Sequence, residues 1–306
     1  MTIHPTYELL CSPRCSERRH GVDQLFQWID TAVSRYSEAP ALYQEGIQHA
    51  VTVLTTFAHA DNGCFGDGFH SCEWSPVATA VGGITARISK TIFFTQPAIP
   101  RSRTRPNAMF GQCPVFASFA FADLPRITLP NAHVADIDFS RSTLTGATFT
   151  HTRGKRTDFS YSHCSDATFH GDFSRSHWMG VTASNAMFKG DFYRAHFDNA
   201  NLDSCAFVRS DLLFACLRGA TAHGTDFRGC RAQADLFRDC HVDDYTIFPD
   251  GSSIAVDGRA DVERRWPGFT TANPSVHPRP ILYLRRWGGI GKDGEDIFTV
   301  TPWYTS

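Results

Sequence analysis

The chain has 306 residues, enough to enclose a full hydrophobic core in one large or two modest domains. Its 29 Lys and Arg nearly balance its 31 Asp and Glu, so the net charge of -2 gives no bulk electrostatic reason to expect a nucleic acid partner or an anionic membrane surface. The N-terminus lacks the basic start and continuous apolar run of a secretion signal, and no apolar stretch approaches the roughly 18 residues of a membrane span. We therefore expect a cytoplasmic protein without membrane contact.

Ten cysteines in such a chain are expected to be reduced thiols rather than a disulfide framework. Five residues near the N-terminus have side chains suited to zinc, namely Cys11, Cys15, Cys64, His70 and Cys72. Their spacings match no standard zinc site, so we expect free thiols there and no metal or cofactor. The 14 histidines are scattered and complete no catalytic arrangement with serine and a carboxylate. The sequence therefore predicts a protein that is not an enzyme.

Residues 1–95 are predicted to form a helical region. Apolar residues recur at spacings of three and four from Val22 to Tyr36 and again from Ile47 to Phe57, with turn chemistry between them. These two patterns indicate a helical hairpin, and a further short helix is expected near residues 77–88. Residues 96–114 are rich in Pro and Arg in their first part and are predicted to be a linker.

From residue 115 to residue 248 the periodicity is five: a bulky residue recurs every fifth position, and a small residue stands two positions before it. The best-kept bulky positions are Phe119, Leu124, Leu129, Val134, Phe139, Leu144, Phe149, Phe159, Phe169, Phe173, Trp178, Phe188, Phe192, Phe197, Leu202, Phe207, Leu212, Leu217 and Phe227, and we extend the phase to Phe237, Val242 and Ile247. Cys205, Cys230 and Cys240 stand at the small positions, where a buried thiol acts as a small apolar group. A repeat held this long indicates a solenoid.

Units such as residues 200–204 (Ala-Asn-Leu-Asp-Ser) and 225–229 (Thr-Asp-Phe-Arg-Gly) resemble the A(D/N)LXX pentapeptide repeat. The resemblance implies a mainly β fold, a right-handed four-sided parallel β-helix with four units in each coil. We expect the helical region before it and an irregular or β-hairpin tail, residues 249–306, to cover its two ends, because an open solenoid end exposes backbone groups and core. Gly289–Lys292 lacks the glycine spacing of a phosphate loop and is expected to be a hairpin turn.

Two units are one residue short, and both begin Gly-Asp-Phe, at residues 171–173 and 190–192. If each deletion is absorbed locally, the core contains two ladders of stacked aromatic rings. One ladder is predicted from Phe149, Phe169, Phe188, Phe207 and Phe227, and the other from Phe119, Phe139, Phe159, Trp178, Phe197 and Phe237.

Arg156, Arg175 and Arg194 fall at one outward position of three successive coils. Like charges this close need neutralisation or attract an anion. A parallel column of Asp172, Asp191 and Asp211 can supply the neutralisation, and the alternative is a binding strip for an acidic partner. Leu213 and Phe214 are also outward, and this apolar pair is expected either to pack under a flanking segment or to contact a partner or a second copy of the chain.

The sequence thus predicts a non-catalytic scaffold that binds a protein partner of unknown identity, with Arg156, Arg175, Arg194, Leu213 and Phe214 as candidate partner-binding residues and a homodimer as one possibility. The resemblance offers an alternative, because some pentapeptide-repeat proteins imitate DNA, bind gyrase or topoisomerase and protect it from poisons. Such mimicry needs an acidic rod, whereas arginines are interspersed among the aspartates of this repeat region.

Overall fold

A computed structural model describes residues 8–60, 76–88, 108–110, 113–271, 283–290 and 296–302. Cys64, His70 and Cys72 and the second half of the predicted turn, residues 291–292, lie outside the described residues. The chain divides into two compact units, Met1–Thr270 and Thr271–Ser306.

Three helices longer than one turn lie in the described residues that precede the solenoid, α1 (Cys15–Ser34), α2 (Pro40–Ala60) and α3 (Pro76–Arg87). Their apolar faces, which the three-and-four spacing predicted, are buried against one another. Gly83 lets α3 approach α1, since a Cβ atom there would lie 2.3 Å from the ring of Phe26. On the same contact Arg87 donates two hydrogen bonds of 2.8 Å to the carboxylate of Asp30.

The helical region contacts the first coil of the solenoid through hydrogen bonds to the backbone of that coil. Strands β1 (Ala108–Phe110) and β2 (Cys113–Val115) form an antiparallel pair within the predicted linker. The side-chain amide of Gln48 on α2 donates to the carbonyl of Phe116 at 3.1 Å and accepts from the amide of Phe116 at 2.7 Å. The amide of His133 donates to the carbonyl of Thr85 on α3. The first coil therefore finds hydrogen-bond partners in the helices.

From residue 118 onward parallel bridges join successive coils in four ladders, each advancing 20 or 19 residues per coil except at the last step of ladder 3, from Asp226 to Ile247, which advances 21. Ladder 1 joins Ser118, Asp138, Asp158, His177, His196 and Cys216; ladder 2 joins Asp123, Thr143, His163, Thr182, Asn201, Thr221 and His241. Ladder 3 joins Thr128, Thr148, Thr168, Met187, Ala206, Asp226 and Ile247; ladder 4 joins His133, Arg153, Asp172, Asp191, Asp211 and Arg231. This is the predicted parallel β-solenoid, whereas its square cross-section and right-handed sense stay predictions.

The chain turns between ladders at a residue of positive φ, two positions after the buried bulky residue, as at Arg126 (φ 58) and Tyr161 (φ 59). This left-handed region is unfavourable for most side chains. Hydrogen bonds between coils offset the cost, because most turn residues donate their amides to the next coil, as Arg175 does to the Tyr193 carbonyl at 2.7 Å. The turn residues consequently stack in columns.

The two short units lie in strands β4 (Thr168–Asp172) and β5 (Met187–Asp191), between β3 (Thr148–Arg153) and β6 (Ala206–Asp211). The full-length coils on either side make the turn with a left-handed residue, His151 or Arg209. The short coils have no such residue and pass through Gly171 (φ 149) and Gly190 (φ 123) instead. The register shifts recorded beside β3 and β6 are the result. Each deletion is thus absorbed within one turn, as the sequence predicted.

The aromatic rings stack in register along the interior. Neighbouring rings from Phe149 through Phe169, Phe188 and Phe207 to Phe227 have centroids 4.6–5.4 Å apart. A second stack runs from Phe119 through Phe139, Phe159 and Trp178 to Phe197 with separations of 4.3–5.5 Å. Rings of the two stacks meet edge to face. Leu217 follows Phe197 in this stack, and the ring of Phe237 meets Phe227 edge to face at 5.0 Å.

The end of the solenoid departs from the sequence prediction in one core position and in the tail, where two short helices precede the β-strands although an irregular segment or a β-hairpin was predicted. Ile247, predicted as a core position, lies on ladder 3, and Phe248 is the buried residue, because the last coil contains one extra residue. After it, α4 (Ile254–Asp257) and α5 (Arg259–Arg265) lead to Trp266 and Phe269, whose rings lie 6.3 and 5.5 Å from that of Phe248. The pair β7 (His241–Val242) and β8 (Thr270–Thr271) completes this closure.

The second compact unit contains a two-stranded antiparallel sheet, β9 (Tyr283–Ile290) and β10 (Asp296–Pro302). This pair matches the hairpin that the two apolar runs of the tail indicated. That it covers the last coil stays a prediction.

Candidate interaction surface

Arg156, Arg175 and Arg194 occupy one turn column between ladder 4 and ladder 1, with Asp136 before them and Phe214 after them. We call these five residues the arginine turn column. The guanidinium of Arg156 donates two hydrogen bonds of 2.6 Å to the carboxylate of Asp136 on the preceding coil. Arg175 and Arg194 are exposed. One of the three charges is therefore neutralised within the column.

Asp172, Asp191 and Asp211 stack along ladder 4, as the sequence predicted. They were expected to neutralise the arginines, but their carboxylates accept backbone hydrogen bonds. Each carboxylate accepts a hydrogen bond of 2.8–3.0 Å from the backbone amide two residues later. Partial burial raises the pKa of Asp191, and the charges of Asp172 and Asp211 raise it further, while Lys155 opposes them. Arg156 is therefore neutralised by Asp136 and not, as expected, by this column of aspartates.

Phe214 is 58% exposed, and Leu213 beside it is half-buried. The ring of Phe214 meets that of Tyr193 edge to face at 5.6 Å. The guanidinium of Arg194 lies 5.2 Å from the Tyr193 ring and 5.7 Å from the Phe214 ring. Phe214 of the predicted apolar pair thus belongs to a cluster of two rings and one cation, in which Phe214 and Arg194 are exposed.

A second cluster of this kind was missed by the sequence reasoning. Phe121, Arg141, Tyr161 and Gly180 belong to the turn column between ladder 1 and ladder 2, which we call the aromatic turn column. The guanidinium of Arg141 lies 5.5 Å from the Phe121 ring and 5.7 Å from the Tyr161 ring. These residues are 20 positions apart, so only an alignment of whole coils could have brought them together.

The family model for pentapeptide repeats matches residues 137–171 and 191–231 of the chain, in eight copies. The central region is a pentapeptide-repeat domain. The matched segments cover the two short units only in part, since residues 172–190 fall between them.

Solved structures of other pentapeptide-repeat proteins resemble the chain at low identity. QnrB1, described as a plasmid-mediated fluoroquinolone resistance protein, is 18% identical over 51% of this chain and 78% of its own, with a TM-score of 0.37. HetL, involved in heterocyst differentiation regulation in the cyanobacterium Nostoc sp. strain PCC 7120, is 18% identical over 45% of this chain and 76% of its own, with a TM-score of 0.23. A comparison with curated proteins finds no match.

Within the part of the chain that the structure describes, no group of three or more His, Cys, Asp or Glu side chains has an arrangement that could hold a metal ion. Cys11 and Cys15, two of the five residues considered for zinc, are exposed free thiols. No helix among the described segments is both long and apolar enough to cross a bilayer.

The cysteines of the pentapeptide-repeat domain are expected to resist alkylation. Burial raises the pKa of Cys164, Cys230 and Cys240 to about 12, so the reactive thiolate is scarce at neutral pH. Iodoacetamide should label Cys11 and Cys15 in the native protein and reach the three core thiols only after unfolding, which peptide mass mapping would show. Native labelling of Cys164 at the rate of Cys11 would contradict this packing.

His223 and Asp203 form an ion pair across two coils beside ladder 2, with Nδ1 and Oδ1 3.2 Å apart. The hydrogen bond that His223 donates to Asp203 raises the pKa of His223, and its partial burial opposes this shift. Burial alone would raise the pKa of Asp203, but the hydrogen bonds and charge of His223 lower it overall. The pair therefore favours both charged forms in the folded state.

This pair predicts a pH dependence of stability. The His223 contribution is complete below its unfolded pKa of about 6.5 and is lost as the pH rises through its higher folded pKa. The Asp203 contribution is complete above about 3.9 and is lost as the pH falls through its lower folded pKa. The stability difference between the native chain and a His223→Gln chain, measured by urea unfolding, should thus be larger at pH 5.5 than at pH 8.5. An equal difference at both values would contradict the pair's charge state.

Proposed function

We propose that this protein is a non-catalytic, cytoplasmic scaffold that binds a protein partner through the arginine turn column and Leu213. The observation that carries the proposal is the cluster of Phe214, Tyr193 and Arg194, in which an exposed ring, a half-buried ring and an exposed cation contact one another. Aromatic and arginine side chains are the residues that dominate binding energy in protein interfaces. Here they are fixed to hydrogen-bonded coils, so little conformational entropy is lost when a partner binds.

A pull-down with turn-column variants tests this proposal. Phe214→Asn and Arg194→Asn place a residue that tolerates positive φ at positions of φ 59 and 56, so the coils should fold normally. Arg126→Asn is the matched control, because Arg126 is also an exposed turn residue of φ 58 but lies between ladder 2 and ladder 3. We expect the Phe214 variant to lose partner recovery about tenfold or more, as for other interface anchors. Full recovery with both variants would reject the surface.

A second copy of the chain is the other partner that the apolar surface of Leu213 and Phe214 could bind. Light scattering after size-exclusion chromatography distinguishes the two. A dimer that dissociates in the Phe214→Asn variant but persists in Arg126→Asn would assign the surface to self-association.

The alternative function is imitation of DNA toward gyrase. Carboxylates are concentrated beside ladder 2, where Asp123, Asp166, Asp203, Asp243 and Asp244 accompany Arg126. Beside ladder 4 the cations Arg153, Lys155, Arg156, Arg175, Arg194 and Arg231 exceed the carboxylates of Asp136, Asp172, Asp191 and Asp211. This separation favours the scaffold, because a DNA mimic needs acidic charge around the surface that enters the enzyme. Protection of gyrase from a fluoroquinolone in a supercoiling assay would reverse that preference.

A further inference from the structure

The exposed large apolar side chains of the coils gather around ladder 1. Phe121 is 66% exposed, Tyr161 50%, Met179 41% and Phe214 58%, and all four lie in ladder 1 units or in the two turn columns that border it. Phe116, just before the first ladder 1 residue, is exposed as well, whereas exposed Tyr245 lies in the last coil elsewhere. Scattered exposed apolar residues are ordinary, but their concentration on one of four ladders indicates a binding surface.

Arginines interleave with these apolar groups at both borders. Arg141 packs against the rings of Phe121 and Tyr161, and Arg194 packs against the rings of Tyr193 and Phe214. A guanidinium that packs against an aromatic ring can still donate hydrogen bonds from its N–H groups to an acceptor beside the ring. Both borders therefore offer an ordered cation beside an apolar anchor.

The chain's own carboxylates on ladder 1 are engaged elsewhere. Asp138 and Asp158 accept hydrogen bonds of 2.8 and 2.9 Å from the amides two residues later. Asp198 accepts a hydrogen bond of 3.0 Å from the thiol of Cys216. Carboxylates from outside would thus add contacts that Arg141, Arg175 and Arg194 do not receive from these aspartates.

The surface is also arranged before any partner arrives. Tyr161 lies on Gly180 of the next coil, where a Cβ atom would come within 2.7 Å of the ring. Gly180 has a φ of 64, so glycine suits the position both for its backbone and for the ring above it. The Tyr161 ring is held in place, which lowers the entropic cost of binding.

The dimensions select the shape of the occupant. Three outward residues of a unit span about 10 Å, the diameter of an α-helix with its side chains. The six residues of ladder 1 extend over about 24 Å at strand spacing, which a helix of about 16 residues matches. A single helix matches the width and length of this surface, whereas the face of a folded domain would be wider than the surface.

We infer that ladder 1 and its two bordering turn columns bind an acidic amphipathic helix of a protein partner, with carboxylates at Arg141, Arg175 and Arg194 and apolar side chains at Tyr161, Met179 and Phe214. This inference rests on the proposed scaffold function. It extends that function by naming the chemistry of the partner segment and by enlarging the footprint from the arginine turn column to the whole of ladder 1.

Photo-crosslinking tests the inference on the full chain. A benzophenone amino acid replaces Met179 on ladder 1, and in a matched control it replaces Met187 on ladder 3, which is also partly exposed. Leu213 carries the probe in a third chain to report on the arginine turn column alone. Each probe-bearing chain is irradiated in an extract of cells whose genome encodes the protein. Mass spectrometry then identifies the crosslinked peptide. Each experiment is repeated with Arg175→Asn and Arg194→Asn together.

We expect the Met179 probe to capture a segment of net negative charge whose apolar residues recur at helical spacing, with at least a tenfold lower yield in the double arginine variant and at Met187. Capture at Leu213 without capture at Met179, or capture at both of a neutral or basic segment, would overturn the helix inference and leave the scaffold function standing. Absence of capture at all three positions would overturn both.

Discussion

Replacing Gly190 with alanine is expected to destabilise the solenoid by more than about 4 kcal/mol, at the upper end of single-substitution effects. A Cβ atom at this position would lie 2.1 Å from the carbonyl oxygen of Gly171 on the preceding coil. The neighbour is backbone within the β4–β5 pairing, so it cannot rotate away as a side chain could. The φ of 123 adds strain for any residue with a Cβ atom.

Gly229→Ala is the control for this prediction. Gly229 also has a positive φ, of 72, but the nearest atom to a Cβ there is a flexible arginine carbon 3.7 Å away. That variant should lose only about 1–2 kcal/mol, the cost of a left-handed backbone for alanine. Guanidinium unfolding followed by circular dichroism measures both. Equal losses in the two variants would show that coil contact at the short units is not what requires glycine.

Replacing Trp178 with alanine is expected to cost about 3–5 kcal/mol, the range for removing a buried large aromatic side chain. The indole stacks on Phe159 at 4.3 Å and on Phe197 at 5.5 Å, and it meets Phe169 edge to face at 4.7 Å. Its Nε1 donates a hydrogen bond to the hydroxyl of Ser176 at 2.6 Å. The substitution therefore opens a cavity where the two ring stacks touch.

Two further variants separate packing from general damage. Trp178→Phe keeps an aromatic ring in the stack and should lose clearly less stability than Trp178→Ala. Met179→Ala, at the exposed neighbouring position, should stay within about 0.5 kcal/mol of the parent chain. The same guanidinium unfolding curves apply, and a Trp178→Ala loss no greater than that of Met179→Ala would contradict the stacked core.

The five-residue period predicted a solenoid, because inward positions recur within each unit. The two ring stacks followed once the period was combined with the four units per coil that the resemblance to pentapeptide repeats implies. The shortened units at Gly171 and Gly190 could also be located, since a deletion shifts the phase for every later residue. Residue 247 shows the limit of this reasoning. The period extended to Ile247, yet an extra residue in the last coil puts Phe248 in the core, and no later repeat exists to reveal the shift.

The candidate interaction surface was harder to predict than the core. Its contacts join residues 19 or 20 positions apart, and they depend on the coil toward which each side chain is oriented. Arg156 was expected to be neutralised by the aspartate column. Instead, Asp136 lies one coil earlier in the same turn column as Arg156 and accepts its hydrogen bonds. Arg141 and Tyr161 carried no signal of their own in the sequence. Their grouping with Met179 and Phe214 emerges only when the four ladders are known.

The pairing of Gln48 with Phe116 and of Thr85 with His133 bears on how the chain is made. The helices leave the ribosome before the coils, and each later coil needs only the coil before it as a template. The solenoid can therefore fold in the order of synthesis, one coil at a time, on the helical region that has already folded. A mutation in an early coil would accordingly interrupt maturation sooner than one of equal severity near the far end.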